Sequence, residues 1–113
     1  MQMELIELDG PVNMVRLDGR LDAPGADTLG MRFTAATVAQ GRPVIVDLSG
    51  VSFIASMGIR LLISCAKGAH LKGHKFVLFG AQPFVQDVFE QAGLDQILDI
   101  AASESEALER LSA

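Results

Sequence analysis

Two segments at the start of the chain show the residue pattern of β-strands. Residues 3–8 form a short apolar run. In residues 12–18, Val15 and Leu17 fall on one face and the charged residues between them fall on the other. The dipeptide Asp9-Gly10 separates the two segments, and it readily adopts the positive φ angles of a tight turn. The pattern therefore predicts an antiparallel hairpin.

After the hairpin, apolar residues recur at spacings of three and four, which predicts three amphipathic helices. These helices are predicted to begin at Pro24, near Ser56 and at Pro83, and to end at Gly41, Gly73 and Gly93. The residues expected to face the core are Ala26, Leu29, Phe33, Ala36, Ile59, Leu62, Ile63, Ala66, Phe84, Val85, Val88, Phe89 and Ala92. Ser103 and Glu106 form a capping box, which predicts a fourth helix with Leu108 and Leu111 facing inward.

Two continuous apolar runs, residues 44–46 and 76–79, predict strands that are covered on both faces. Residues 47–55 are predicted to form a loop, and residues 97–100 a last short strand. The resulting order is ββαβαβαβα, in which helical crossovers join parallel strands and the hairpin adds an antiparallel pair. The sequence therefore predicts one α/β domain over residues 1–113, with a mixed sheet and helices packed on it.

Charge and composition exclude several classes of protein. The chain of 113 residues has 14 acidic and 9 basic side chains, which gives a net charge of −5. A nucleic-acid-binding domain normally carries a basic stripe, because phosphate contacts supply much of its affinity, and this sequence has none. It also has no apolar stretch of about 18 residues that would span a membrane, and we recognise no signal peptide. We therefore expect a cytoplasmic protein that neither binds nucleic acid directly nor inserts into a membrane.

The residues that could carry catalysis do not form a catalytic set. The sequence has neither a glycine-rich phosphate loop nor a dinucleotide fingerprint, so we expect no cofactor. His70 and His74 lie at the end of the second predicted helix, where the helix dipole favours them, and this explains them better than a metal site does. Cys65 is predicted to be a buried, unreactive thiol. Asp47 follows a central strand, where ligand sites often lie, but it also suits hydrogen bonding to the following turn. A non-enzymatic protein is the simpler interpretation.

Residues 47–60 form the most distinctive segment, which leads from a central strand through serines into a helix. Ser56, at the start of that helix, is placed to cap backbone N–H groups, but it is also placed to be phosphorylated. The helix N-terminus would tolerate the added charge, whereas a partner packed against the same surface would not. Such a site is suited to a binding switch.

The chain resembles the STAS domain family, and within it the small bacterial anti-sigma factor antagonists. The resemblance covers nearly the whole length, and its most specific part is residues 47–60, supported by residues 19–23, 93–94 and 105–108. It implies a protein that binds an anti-sigma factor, itself a serine kinase of the histidine-kinase-like ATPase fold. The unphosphorylated antagonist would hold this kinase, phosphorylation would release it, and a serine phosphatase would reset the cycle.

The sequence departs from the family pattern at the phosphorylation site. The family commonly reads Asp-Ser-Ser-Gly with the modified serine before the glycine, whereas this chain reads Ala55-Ser56-Met57-Gly58. Methionine cannot be phosphorylated, so three possibilities remain: Ser56 is the acceptor, Ser52 is the acceptor, or the protein binds its partner without a switch. Ser56 is our first choice.

The resemblance also implies a partner-binding surface. We expect it to contain Ser52, Ser56, Met57, Gly58, Ile59 and Arg60. Met57 and Ile59 would supply apolar contact and Arg60 a charge that steers the partner. One alternative is a STAS adaptor subunit of a membrane lipid ABC transporter, which needs no phosphorylation. Another is a small nucleotide-binding enzyme, which rests only on the topology at the strand ends.

Overall fold

The order of elements agrees with the sequence-based prediction. The computed structural model describes residues 1–8 and 10–112. The elements are β1 (Gln2–Glu7), β2 (Asn13–Leu21), α1 (Ala23–Thr34), a π-helical turn (Ala35–Ala39), β3 (Val44–Ile54), α2 (Ser56–Leu71), β4 (Phe76–Phe79), α3 (Pro83–Gln91), a 3₁₀ turn (Leu94–Gln96), β5 (Asp99–Ala101) and α4 (Glu104–Ser112). The predicted ββαβαβαβα arrangement is therefore confirmed. In the predicted hairpin turn, Gly10 has a positive φ of 83°, while Asp9 lies outside the described residues.

Within the described residues, the strands form one five-stranded sheet in the order β1-β2-β3-β4-β5. β1 pairs antiparallel with β2, and the remaining neighbours are parallel. The predicted hairpin and mixed sheet are both confirmed. β3 lies at the centre, as its continuous apolar run indicated, because a strand covered on both faces needs apolar side chains at successive positions.

The two faces of the sheet are covered differently. The larger core lies between the sheet and α1, α2 and α3, with Phe33, Leu62 and Phe89 fully buried in it. The smaller core lies on the opposite face, where Ala107 of α4 packs near Ile45. No helix of the described chain is both long enough and apolar enough to cross a lipid bilayer.

Two predicted strand boundaries were wrong at the carboxyl end of the sheet. β2 continues to Leu21 rather than ending at residue 18, and β3 continues to Ile54 through the segment predicted to be a loop. The physical reason is irregular pairing: between Asp47 and Phe53, β3 twice advances by one residue more than β2. These irregularities break the alternation of polar and apolar residues on which a strand prediction depends.

Some side chains were assigned to the wrong environment. Phe84 and Ala92 of the third predicted helix are exposed, and Ile97 is 64% exposed because it precedes β5 instead of lying in it. In α2 the fully inward positions are Gly58, Leu62, Cys65 and Ala69, whereas Ile59, Ile63 and Ala66 are half-buried beside them. The small residues let this helix lie close to the sheet, which shifts its buried stripe.

The predicted cap of the fourth helix is confirmed on its serine side. The Glu106 amide donates to Ser103 Oγ at 3.2 Å. The carboxylate of Glu106 accepts from the amide of Ala102 at 3.2 Å. This bond and the nearby Arg110 guanidinium hold the pKa of Glu106 below its usual value.

Candidate functional site

The end of β2 supports the starts of both α1 and α2 through two glycines. A Cβ at Gly58 would lie 2.2 Å from the carbonyl oxygen of Leu21, and a Cβ at Gly25 would lie 2.3 Å from that of Arg20. The same Leu21 carbonyl accepts a hydrogen bond from the amide of Ala55 at 3.1 Å. Only residues without a side chain permit this approach of helix to strand. The position of the first turn of α2 is thus fixed by backbone contacts.

The first turn of α2 presents exposed side chains on its outer side. Ser56 is exposed, Met57 is 42% exposed, and Arg60, one turn further on, is also exposed. Ile59 is half-buried and packs on the larger core, and Gly58 is buried against β2. Of the predicted surface residues, Ser56, Met57 and Arg60 therefore face outward together, whereas Gly58 serves to position the helix.

Ser56 does not cap α2, contrary to one interpretation of the sequence. Ala55 occupies the N-cap position, with φ −136° and ψ 178°, and no side chain of the described residues caps this helix. The first backbone N–H groups of a helix have no partner within it, so they give this end a partial positive charge. Ser56 is the first residue of the helix, beside those groups.

Ser52 lies at the second irregularity of β3. The residue is exposed, and its hydroxyl donates to the carbonyl oxygen of Gly19 at 3.4 Å. Its side chain is therefore tied to the neighbouring strand, whereas Ser56 lies beyond the strand end.

A stack of three side chains that the sequence does not predict adjoins this region. The Arg20 guanidinium carbon lies 4.2 Å from the centre of the Phe53 ring, and this ring stacks on Phe84 with centroids 5.6 Å apart and an interplanar angle of 14°. Phe84 is 50% exposed. The stack joins β2, β3 and α3 and places aromatic surface in solvent. The sequence shows both residues, but Arg20 lies beyond the predicted end of the second strand and Phe53 lies in the segment that was predicted to be a loop.

Two carboxylates, those of Asp22 and Asp47, accept hydrogen bonds from polar groups near the site. Asp22 is the N-cap of α1, since its Oδ1 accepts from the amide of Gly25 at 3.0 Å and its Oδ2 accepts from Arg20 Nε at 3.3 Å. The bond from Gly25, followed by that from Arg20, holds the pKa of Asp22 below its usual value. These contacts fix both the start of α1 and the arginine of the stack.

Asp47 forms the hydrogen bond that was expected to a following backbone group, but it does so within β3 and not in a loop. Its Oδ1 accepts from the amide of Ser49 at 2.9 Å, and its Oδ2 accepts from Arg16 Nε at 3.1 Å. Burial raises the pKa of this carboxyl, but the bonds from Ser49 and Arg16 outweigh burial and leave it below its usual value.

The remaining candidates for chemistry lie elsewhere. Cys65 is buried in the larger core, as predicted. His70 is exposed, but His74 is buried, and its Nε2 lies 2.8 Å from the carbonyl oxygen of Thr37, so it joins the connection between α2 and β4 to the π-helical turn. Among residues 1–8 and 10–112, no group of three or more His, Cys, Asp or Glu side chains is arranged to hold a metal ion.

Comparison with known proteins identifies the family. The anti-sigma-B factor antagonist of Listeria monocytogenes is 27% identical over 104 residues, which cover 92% of this chain and 91% of that protein. Among solved structures, an anti-sigma-factor antagonist (STAS) domain protein of Planctomyces limnophilus has a TM-score of 0.86 at 24% identity, covering 98% of both chains. Phosphorylated SpoIIAA of Bacillus has a TM-score of 0.69 at 22% identity, covering 96% of this chain and 98% of its own.

The two solved structures establish a shared fold, and the family assignment comes from the sequence. The STAS domain family matches residues 3–107, which is nearly the whole chain. The resemblance, which covered nearly the whole length and was most specific at residues 47–60, is thus confirmed, and the chain belongs to the STAS domain family.

Proposed function

We propose that this protein is an anti-sigma factor antagonist, which binds an anti-sigma factor through the outer side of the first turn of α2. The observation that carries the proposal is the pairing of exposed Ser56 and Met57 with buried Gly58 on one helical turn. This arrangement offers a partner a rigid surface of mixed polarity. The name of the Listeria monocytogenes relative supports the choice of an anti-sigma factor as partner.

The docking surface extends from α2 to the aromatic stack of Arg20, Phe53 and Phe84. Aromatic and arginine side chains contribute a large part of the binding energy at protein interfaces. Arg20 contacts both the Phe53 ring and the Asp22 carboxylate. A partner that packs on Phe84 would bury the exposed half of an aromatic ring that already stacks on Phe53.

Phosphorylation of Ser56 would act as the switch. A serine kinase would transfer the γ-phosphoryl group of ATP to Ser56 Oγ, with loss of the hydroxyl proton and release of ADP. The N-terminus of α2 stabilises the new negative charge, and Arg60 lies four residues further on, a spacing at which side chains on a helix interact. A partner that covers Ser56 would instead have to bury the phosphate, so the complex would dissociate while the domain stayed folded.

Ser56 is a better acceptor than Ser52 for a structural reason. The hydroxyl of Ser52 donates to Gly19 on the adjacent strand, and β3 is paired with β2 on both sides of it. Ser56 is at the first position of α2, beyond the paired strands, and its hydroxyl would not have to give up a bond to a neighbouring strand.

The switch can be tested with the cognate anti-sigma kinase and ATP, using mass spectrometry to locate the phosphate. We expect one phosphate on Ser56 that is lost in S56A, while S64A serves as the control because Ser64 is exposed two turns further along the same helix. Titration calorimetry should show that S56D weakens the kinase complex by about 3 kcal/mol, roughly a hundredfold. S64D should change the affinity by less than about 0.5 kcal/mol.

Each other outcome points to a different function. Phosphate on Ser52 would show that Ser52, and not Ser56, is the phosphorylated residue of the switch. Tight binding of the kinase without phosphorylation would make the protein a constitutive antagonist. Isolation of the protein with the ATPase of a membrane lipid transporter, and with no anti-sigma factor, would favour the adaptor alternative and reject the proposed function.

A further inference from the structure

A second candidate binding region lies at the opposite end of α2. A groove of about 850 Å³ runs between the C-terminal half of α2, the start of β4 and the segment that enters β5. Its volume lies within the range of small-molecule sites, roughly 300–1,000 Å³. The proposed antagonist function uses the N-terminal end of α2, so this groove is independent of it.

The walls of the groove are apolar. Ile63 and Ala66 of α2 form one wall, and Phe76 and Leu98 form the other. Leu71 and Ile97 also line it and are 85% and 64% exposed. Binding a ligand that covers these two apolar side chains, one on each side of the groove, is favourable because apolar surface leaves water.

The charges on the groove are mainly positive, although the chain as a whole has a net charge of −5. Lys67 and Lys75 line it, as does the imidazole of His70, and Lys75 Nζ donates to the Arg110 carbonyl at 2.9 Å. Asp99 is the carboxylate among the lining residues, and it forms an ion pair with Arg110. The two lysines and one aspartate that line the groove give its lining a formal charge of +1, with histidine neutral.

The nearby end of α2 does not cancel this positive charge with free carbonyl groups. The carbonyls of Gly68, Ala69 and His70 accept hydrogen bonds from the amides of residues 72–74. The turn that makes these bonds is closed by Gly73, which has a φ of 83°. These carbonyl oxygens already have backbone donors, and the exposed Lys67 directly precedes them on α2.

We propose that the groove binds a small amphipathic anion, namely a single hydrocarbon chain that ends in an acidic head group. The hydrocarbon chain would lie against Ile63, Phe76 and Leu98 and be covered by Ile97. The head group would lie at the rim beside Lys67. The combination of apolar walls with a basic rim on an acidic protein is complementary to this class of ligand.

Dodecanoate is a suitable probe, at concentrations below those at which it forms micelles. Titration followed by amide NMR of the full chain should give saturable shifts at residues 63–67 and 97–98, and none at residues 52–60. I97D should weaken binding at least about tenfold through loss of apolar contact and the introduction of a like charge. K67Q should weaken it by roughly threefold to fivefold, as expected for an exposed charge pair.

Matched controls separate this site from non-specific binding. K72Q changes an exposed lysine just past the groove, and M31S changes an exposed apolar residue on α1, so neither should alter the affinity. Dodecanol, which has the same chain without the charge, should bind at least about threefold more weakly. L71S provides a second variant of the apolar part of the groove, besides I97D. Circular dichroism checks that I97D and L71S both remain folded.

Three results would overturn the proposal. Shifts that do not saturate, or that are equal for dodecanol and dodecanoate, would remove the anion site. Equal effects of K67Q and K72Q would show that the charge acts only through the net charge of the protein. Sedimentation of the unliganded chain as a dimer that I97D converts to a monomer would assign the groove to a second copy instead.

Discussion

The inner and outer sides of the first turn of α2 differ in what a substitution there would change. On the inner side, Gly58 has no room for a Cβ because the Leu21 carbonyl is in the way. On the outer side, Ser56, Met57 and Arg60 are exposed. The inner side therefore determines where the helix lies, and the outer side can be modified or bound without disturbing it. The comparison predicts that stability and binding respond to different residues of the same turn.

The largest effect on stability is expected from G58A on the inner side. The added methyl group would lie 2.2 Å from a backbone oxygen and 2.6 Å from Leu21 Cγ, so α2 or β2 must shift. We expect a loss of about 3 kcal/mol in the free energy of unfolding, at the upper end for an overpacked site. Urea denaturation measures it.

G30A is the control for this prediction, because Gly30 also lies in a helix. A Cβ at Gly30 would meet only Leu61 Cδ1, at an ordinary 3.8 Å. Alanine is the better helix former, so G30A should stabilise the protein by about 0.5–1 kcal/mol. A G58A variant as stable as the natural chain would contradict the account of the inner side.

A smaller effect is expected when the outer surface is truncated by F84A. The proposed partner loses an aromatic contact, and the affinity should fall by about 1–2 kcal/mol in titration calorimetry. The free energy of unfolding should fall by less than about 1 kcal/mol, since the ring is half exposed and mainly stacks on Phe53.

L71A is the matched control for F84A. Leu71 is also an exposed apolar residue, but it lies at the other end of α2. It should leave the affinity for the anti-sigma factor unchanged. If L71A weakened the complex as much as F84A, the binding surface would not be the one around the first turn of α2.

A third prediction concerns acid stability and Asp47, in the central strand below the site. The pKa of Asp47 is lower in the folded protein than its usual 3.8, so its carboxylate stabilises the fold above about pH 4. This contribution is lost as the pH falls through the folded-state pKa. D47N should lower the free energy of unfolding by about 1 kcal/mol at pH 7, where the bond from Arg16 is charged, and the difference should shrink towards pH 2.

Chemical denaturation across this pH range measures the effect. D95N is the control, because Asp95 is exposed and should change the free energy of unfolding by less than about 0.5 kcal/mol. A constant difference between D47N and the natural chain from pH 7 to pH 2 would show that the ionised carboxylate is not the source of the stabilisation.

The sequence predicted the regular half of β3 and not its irregular half. Val44 to Val46 are apolar at every position because both faces are covered, and this pattern is readable without the structure. In the second half, the extra residues of β3 disturb the alternation of polar and apolar positions. The segment is still a strand because it pairs with β2, which is distant in sequence. Local patterns cannot show such pairing.

The same limit applies to the candidate site. The resemblance to the STAS family pointed to Ser56, Met57 and Arg60, which lie in one segment of the sequence, and all three are exposed at the start of α2. The stack of Arg20, Phe53 and Phe84 was missed because its members come from three elements, and only the tertiary fold brings them together. Phe84 in particular suited a buried stripe by its spacing, but it is 50% exposed and stacks on Phe53 near the carboxyl end of β3.

The smallest predicted effect separates stability from binding most sharply. S56D places a carboxylate at the first residue of α2, where the partial positive charge of the helix end stabilises it. The free energy of unfolding should therefore rise by about 0.5 kcal/mol at low ionic strength and return towards that of the natural chain in about 1 M salt, which screens the interaction. Thermal denaturation at the two salt concentrations measures it. The same variant should bind its partner roughly a hundredfold more weakly, so one substitution would strengthen the fold and weaken the complex. A loss of stability in S56D would mean that the site cannot tolerate a negative charge, and weakened binding could then be explained by damage to the helix alone.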